Sequence, residues 1–497
     1  RARAIAAYRK ALVFWPADTL VAGPLVRYLI EDDQRTSALE ASETFAAAST
    51  HPGWPHFLRG FALHAAERYE AAEQAFERAL ATLSASQRED WLDVRVLLAP
   101  EERSRYRQLP TEQRSTFQQR LWQLADPIHL TRGNESRAEH FSRHVYGRIL
   151  RRAPFTSGAV SWGADVEELT LRFGVPRMRT QDWARGPTLD AQITEHFDPD
   201  QQSYVPPALL TAAGITEFAP GAGWPYDTIR SRNGFAPRSV RRMLTLDHML
   251  SRFYERDSVI VRVDAQLPLD SAVRYPTRFE FGVFLLDSTF QVIAARVDTI
   301  AADSARTAAN LVLPLPAGAA AYSVEARDLG SRLAGRSRHR LPAPLPASRP
   351  LLSDLVLLAP AAELPASREN ASFTPVRSLQ LKRGQPVVIY LEADGLTPGD
   401  DRMVRYAVDL EVMEETRPGV FTRTVQRLGR ALGLGGNDVS PRITWNEQKP
   451  AAIALPIALN LGKLQLNQGL QRFRVTVTDR ETGVRSSVDR TVRIEGK

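Results

Sequence analysis

The sequence predicts a multidomain α plus β chain: helical repeats first, a small α/β module next, and two antiparallel β-sandwiches at the C-terminal end. Three observations predict this. The 497 residues exceed one domain, at roughly 100–200 residues per domain. Apolar residues recur at helical spacing through the first third of the chain. From about residue 238 the period changes to two, with Gly- and Pro-bearing turns between short runs. The expected boundaries are 1–100, 101–185, 186–237, 238–345 and 346–497.

Composition narrows the classes. The chain is 43% hydrophobic and 24% charged, which excludes a protein disordered along its whole length. No apolar run reaches the roughly 18–20 residues of a membrane span. Cysteine is absent, which removes disulfides, thiolate metal sites and cysteine nucleophiles together. The net charge is +7, and 59 of the 64 basic residues are arginine, which reads as a GC-rich bacterial composition. The arginines cluster loosely at Arg230, Arg232, Arg238, Arg241 and Arg242, and again at Arg332, Arg336, Arg338 and Arg340. Both groups lie in Pro/Gly/Ser-bearing stretches and read as solvated linkers, with an anionic partner as the alternative.

In the first hundred residues, Ala4, Tyr8 and Ala11 place a small residue four before an aromatic and another three after it. The same pattern returns at Ala72, Phe76 and Ala79, 68 residues on, with a degenerate copy between at Ala38, Ser42 and Phe45. Twice a period of about 34 residues gives that interval, and Gly60 falls where two helices must approach closely. This region resembles tetratricopeptide repeats. The resemblance implies either a groove for a peptide or protein, or a cap packed against the rest of the chain. The chain opens inside a second helix, so an export signal is expected upstream of Arg1.

Helices are expected at about Ser104–Leu109, Thr111–Ala125 and Glu135–Leu150, the last carrying Phe141, Val145 and Ile149 on one face. A polar string, Trp122, Asp126, Pro127, Thr131, Asn134 and Glu135, precedes that last helix. Ser161-Trp162-Gly163-Ala164-Asp165 then leads into a short alternating strand at Leu169, Leu171 and Phe173, ended by Gly174-Val175-Pro176. Residues 115–185 resemble the GWxTD-domain family of bacterial proteins. Trp162 and Asp165 match its named motif, with Ser161 in place of the glycine and Ala164 in place of the threonine. Arg172, Gly174 and Pro176 match the segment that follows; Asp126, Pro127, Asn134 and Glu135 match the one before. The resemblance implies an exported protein, with helical repeats in front and β-domains behind and no established activity. The residues themselves read as a structural motif, Trp162 anchoring a turn and Asp165 accepting backbone N–H groups.

Residues 186–237 hold scattered aromatics, among them Phe197, Tyr204 and Trp224, and read as a segment wrapping over a neighbouring domain. Beyond them, Val259, Val261, Val263 and Ala265 alternate with their neighbours, as do Phe279, Phe281 and Val283. Asn310–Leu315 and Ala321–Ala326 complete the first sandwich. Both sandwiches are expected to be immunoglobulin-like, though neither carries a Cys…Trp…Cys signature; in the second, Val404, Tyr406, Val408, Leu410 and Val412 form one strand. Phe473, Val475 and Val477 face Val488, Val492 and Ile494 across a hairpin. A further strand is expected at Phe421–Arg427.

Motifs of catalysis are missing: the chain has no H-E-x-x-H, P-loop, dinucleotide fingerprint or G-x-S-x-G elbow. His140 and His144, at i and i+4, are weak metal candidates, with His129 or Glu139 as the only third ligands; they read instead as a solvated helix face. The loop Gly433–Asn437 and the acidic turns at Asp198–Asp200 and Gly399–Asp401 read as turns, not as phosphate or calcium sites. No cofactor is expected. The sequence therefore points to a non-enzymatic scaffold or protein-attachment subunit of a bacterial envelope assembly. Two alternatives stand beside it. One is a hydrolase-like enzyme drawing on Asp165, Arg172, His140 and His144 between module and first sandwich. The other is nucleic-acid or polyanion binding through the arginine-rich linkers.

Overall fold

The computed structural model describes residues 1–98, 100–152, 161–176, 178–183, 191–196, 240, 242–244, 246–256, 258–266, 277–302, 308–330, 332–377, 379–414, 442–463 and 466–495. Helices come first and sheets follow, the expected α plus β organisation. The opening helices are α1 Ala2–Phe14, α2 Thr19–Glu31, α3 Arg35–Ala48, α4 Trp54–Ala65 and α5 Tyr69–Ala81. Each packs on the next. Ala38, Ser42 and Phe45 on α3, and Ala72, Phe76 and Ala79 on α5, are fully buried, so the spacing read from sequence marks the core-facing stripe. Gly60 on α4 lies against Phe76: a Cβ there would sit 2.5 Å from the ring.

Further helices are α6 Ala85–Leu92, α7 Pro100–Gln108, α8 Thr111–Ala125, α9 Glu135–Leu150 and α10 Ala164–Phe173. Asn134 caps α9, its side chain accepting from the Arg137 N–H at 2.9 Å. Phe141, Val145 and Ile149 of α9 enter the same core as helices α1–α5. Phe141 meets Phe76 at 5.3 Å between ring centres, and Ile149 fills the space beside Gly23. The face offered by α2, α4 and α5 is thus covered by the chain's own α9.

One expectation is overturned here: Leu169, Leu171 and Phe173 belong to helix α10, not to a strand. Glu167, Thr170 and Leu171 are buried while Leu169 is exposed. The i, i+3, i+4 set decides the conformation, and the i, i+2 alternation is incidental. Gly174, at φ +77°, ends this helix. The strands of this region come afterwards, β1 Met178–Trp183 paired antiparallel with β2 Ala191–His196, so part of the expected wrapping linker is a strand. The rest of that linker lies outside the described residues, as do Arg230, Arg232, Arg238, Arg241, Phe421–Arg427, Asp198–Asp200 and Gly433–Asn437.

The first sandwich uses β3 Arg242–Leu244, β4 Asp247–Glu255, β5 Ser258–Gln266, β6 Thr277–Leu286, β7 Val292–Ala302, β8 Ala308–Pro314, β9 Ala321–Asp328 and β10 Leu333–Arg340. One sheet runs β3-β10-β9-β6-β7 and the other β4-β5-β8. Phe279, Phe281, Val283, Val261 and Val263 fill the space between them. The second sandwich comprises β11 Leu351–Leu352, β12 Val356–Leu358, β13 Gln380–Lys382, β14 Pro386–Asp394, β15 Met403–Glu414, β16 Arg442–Pro450, β17 Leu455–Lys463, β18 Gly469–Asp479 and β19 Arg485–Glu495. Its sheets run β13-β19-β18-β15-β16 and β11-β14-β12, with β17 also on β14. The five alternating apolar residues of β15 are buried, and Val475 faces Val488 as expected.

The sheets are not wholly antiparallel. β3 runs parallel to β10, and β13 to β19. These short edge strands come from distant chain and are not bound by a hairpin's direction. A second correction concerns Arg332–Arg340. It is no solvated linker: most of it is strand β10, and Arg336 and Arg338 are each 1% exposed.

The Gly60–Phe76 contact yields a test. Gly60→Ala gains about 1 kcal/mol of helix propensity but forces a methyl group into the ring, which in a close-packed core costs about 1–3 kcal/mol. A net loss is expected in urea denaturation, partly recovered by adding Phe76→Leu.

Candidate functional site

The polar string before α9 meets the first sandwich. In β6, β9 and β10, alternate residues face the sandwich core, leaving Glu280, Gly282, Phe284, Ser323, Glu325, Arg327, Arg336 and Arg338 on the opposite face. A lone sheet would show these to water. Here residues 126–131 lie across them. Gly282 gives the room: a Cβ there would stand 2.9 Å from Leu130.

Polar groups close the joint. Glu325, fully buried, accepts the Leu130 N–H at 3.0 Å and the Ser323 hydroxyl at 2.7 Å. Arg338 donates to Ser323 at 3.1 Å and to Glu325 at 3.3 Å. Arg336 donates to the carbonyl of Pro127, and Arg327 reaches Thr131 at 3.2 Å. On the helical side, Asp126 accepts from the Ile128 N–H and lies 3.1 Å from His129 Nδ1. Asn134 donates to the Trp122 carbonyl at 2.6 Å, while its own N–H binds Glu73.

The two acids of the string differ. Burial pushes Asp126 up, but His129 and Arg338 outweigh it and hold the carboxyl below its ordinary range. Glu135 is raised well above the usual carboxylate range, by burial first and by the Asp126 charge second. A protonated Glu135 beside an ionised Asp126 is the arrangement that burial of both permits.

The remaining motif residues stand apart from this joint. Trp162 is half-buried on the repeat core, edge-on to Tyr146 at 6.4 Å. Asp165 is exposed in the first turn of α10, near the positive end of the helix dipole. Arg172 pairs with Glu168 at 3.5 Å and lies over Phe173. Gly174 is buried and Pro176 half-buried in the turn after α10.

His140 and His144 are not on a solvated face, a third correction. They are 1% and 7% exposed, with rings 4.5 Å apart, wedged between Trp122 and Trp91. The periodicity of α9 gives its Phe141 stripe but not the opposite face, which α8 and the Trp91 region cover. Burial first, then neighbouring Arg148 and Arg151, pushes His144 down to about 3. His140 is also well below its usual range, through burial and then His144. Glu139 turns elsewhere, bonded to Arg143 at 2.6 Å and beside His64. Among the described residues no three His, Asp or Glu side chains gather as metal ligands.

A cavity of about 350 Å³ opens between α2, α4, α9 and the end of α10, lined in part by Arg27, Glu31, Ser142 and Tyr146. Another, of about 330 Å³, lies between the outer face of β5 and the 368–370 loop, where Arg262 and Arg368 are held in ion pairs. Neither is lined by Asp165, Arg172, His140 or His144. The sequence reading missed Arg27, Glu31 and Glu325, and took Arg336 and Arg338 for linker residues. Its one available signal was the strict polar alternation at Ser323, Glu325 and Arg327. No protein-family model matches the chain, and no curated protein matches it.

Two predictions follow from this geometry. Glu325→Ala removes the counter-charge of a buried arginine and should cost about 3–5 kcal/mol. Glu325→Leu with Arg338→Met should cost much less in chemical denaturation. The second concerns pH. A histidine that titrates at about 3 when folded and 6.5 when unfolded contributes stability that is present above pH 6.5 and is lost as pH falls toward 3. The slope per such residue is up to about 1.4 kcal/mol per pH unit. Glu135 opposes it, contributing at low pH and losing that contribution as pH rises above 4.5. Glu73, Asp247 and Glu392 are raised in the same sense, but His56, His140, His144, His248 and His339, all lowered by burial first, outnumber the raised carboxyls and set the sign between pH 7 and 5. The melting temperature should drop between pH 7 and 5, and His144→Phe should flatten that drop.

Proposed function

We propose that the protein is a non-enzymatic scaffold that attaches other proteins in the bacterial cell envelope, on its extracytoplasmic side. One observation carries this reading. Val13, Phe14, Trp15 and Leu20, each more than half exposed, lie within eight residues of chain at the turn from α1 to α2, with the Phe14 and Trp15 rings 6.1 Å apart. A contiguous exposed patch of large apolar side chains marks a protein contact. The polar residues support it too, since those of the motif string are bonded within the joint between helices and sandwich. The repeat face covered by α9 directs attachment to the outside of the fold.

No helix among the described residues is long and apolar enough to cross a membrane. The envelope assignment rests on the resemblance of residues 115–185 to the GWxTD-domain family. The polyanion alternative is weakened by Arg336 and Arg338, which are interior to a strand.

The test is a pull-down from native envelope with mass spectrometry of the co-purifying chains. The same partners should return in repeated preparations and be lost with Phe14→Ser and Trp15→Ser. A protein that comes down alone, or with cytoplasmic partners only, would overturn the proposal.

A further inference from the structure

The cavity between α2, α4, α9 and α10 is not used by the scaffold reading. Its polar groups fall into two sets. Glu139 is satisfied, one oxygen accepting from Arg143 Nε at 2.6 Å and the other lying 3.1 Å from His64 Nε2. Three further buried atoms have no hydrogen-bond partner: Ser142 Oγ, Arg27 Nε and Glu31 Oε2. Ser142 is 3% exposed and Arg27 5%. A buried polar atom left unsatisfied costs about 1–3 kcal/mol. Ser142 Oγ and Arg27 Nε carry that cost, which a ligand would offset, while Glu31 Oε2 is loosely neutralised 3.7 Å from Arg1 Nε.

Their chemistry specifies that ligand. Arg27 is a cationic donor, held in place over the Tyr28 ring at 4.2 Å. Glu31 is an anionic acceptor, and Ser142 both donates and accepts. Arg27 Nε and Glu31 Oε1 are 3.7 Å apart, too far for a hydrogen bond between them. The two form a loose ion pair, and Glu31 is also 3.7 Å from Arg1 Nε and accepts from the Tyr146 hydroxyl at 3.4 Å, so a ligand ammonium would join an existing set of contacts on Glu31 while Arg27 Nε remains open. Ile30, Phe61, Ala65 and Val175 provide an apolar wall in the same cavity. At about 350 Å³ the space lies at the small end of ligand sites. A carboxylate, an ammonium group and a short apolar tail on one small molecule meet all of these features.

We propose that this cavity binds a free α-amino acid with an apolar side chain, its carboxylate on Arg27 and Ser142, its ammonium on Glu31 and its side chain on the Phe61 wall. The site lies apart from the α1–α2 corner and does not depend on the scaffold reading.

The experiment is calorimetric titration of the full chain with L-leucine, L-valine, L-methionine and L-phenylalanine. At least one should bind. Leucinamide, which lacks the carboxylate, and 4-methylpentanoate, which lacks the ammonium group, should each bind at least about tenfold more weakly than leucine. Ser142→Ala removes a hydroxyl that bonds nothing in the fold, so it should melt as the wild type does while losing affinity about five- to tenfold. Arg27→Gln should abolish binding. No heat with any of the four amino acids at millimolar concentration would overturn the proposal. So would affinity unchanged in both Ser142→Ala and Arg27→Gln, or leucinamide binding as tightly as leucine.

Discussion

Glu325 is the group on which the arrangement of the chain turns. It projects from the middle of a sheet, away from the sandwich core, and is fully buried because residues 126–131 lie over it. A carboxylate in that position is expensive unless its lone pairs are filled. A backbone N–H from the helical side, a serine hydroxyl and a guanidinium from its own sheet fill them. The cost of burial becomes a condition on geometry: helices and sandwich must meet in this register or the charge is stranded. An apolar joint of the same area would tolerate sliding; this one does not.

Arginine is the right cation for such a place. A guanidinium offers several donors in a fixed plane and is weakly hydrated, so it can be buried while bonding several acceptors. Arg338 addresses Ser323 and Glu325 together, and Arg336 reaches across to a carbonyl of the helical segment. The same device holds the sandwiches together. Arg252 binds both oxygens of Asp354, and Arg490 donates to the carbonyls of Leu250 and Leu355. The arginine excess of this chain is thus partly interior. Its net charge overstates the basic surface, and a composition-based reading of polyanion affinity loses force.

What the sequence reveals and conceals follows from this. The 34-residue period, the helix Glu135–Leu150 and the strands around Phe281, Tyr406 and Val475 are legible because each depends on one apolar face against one core. Features that depend on a second, covering layer are not. Arg336 and Arg338 look solvated because alternation marks them as facing away from the core, and nothing local announces a helical segment above them. His140 and His144 are hidden likewise on the rear of α9. The misread α10 has another origin: its buried set includes Glu167 and Thr170, which a reading keyed to apolar residues passes over. The cavity was illegible altogether, since Arg27 and Ser142 are 115 residues apart and ordinary in their local context.

Helix α9 ties these levels together. Its first turn, with Asn134 and Glu135, is built into the segment that grips the sandwich. One face completes the repeat core through Phe141, Val145 and Ile149. Another gives Ser142, Arg143 and Tyr146 to the cavity. A ligand bridging Arg27 of α2 to Ser142 of α9 would hold the repeats against the helix that anchors them. It can change the state of the whole only if it binds one packing of α2 on α9 better than another. The buried atoms without a hydrogen-bond partner, Arg27 Nε and Ser142 Oγ, favour that difference, since a packing that places a ligand on both is relieved of their cost. A ligand's effect would then travel along a rigid helix to the joint rather than through the sheets.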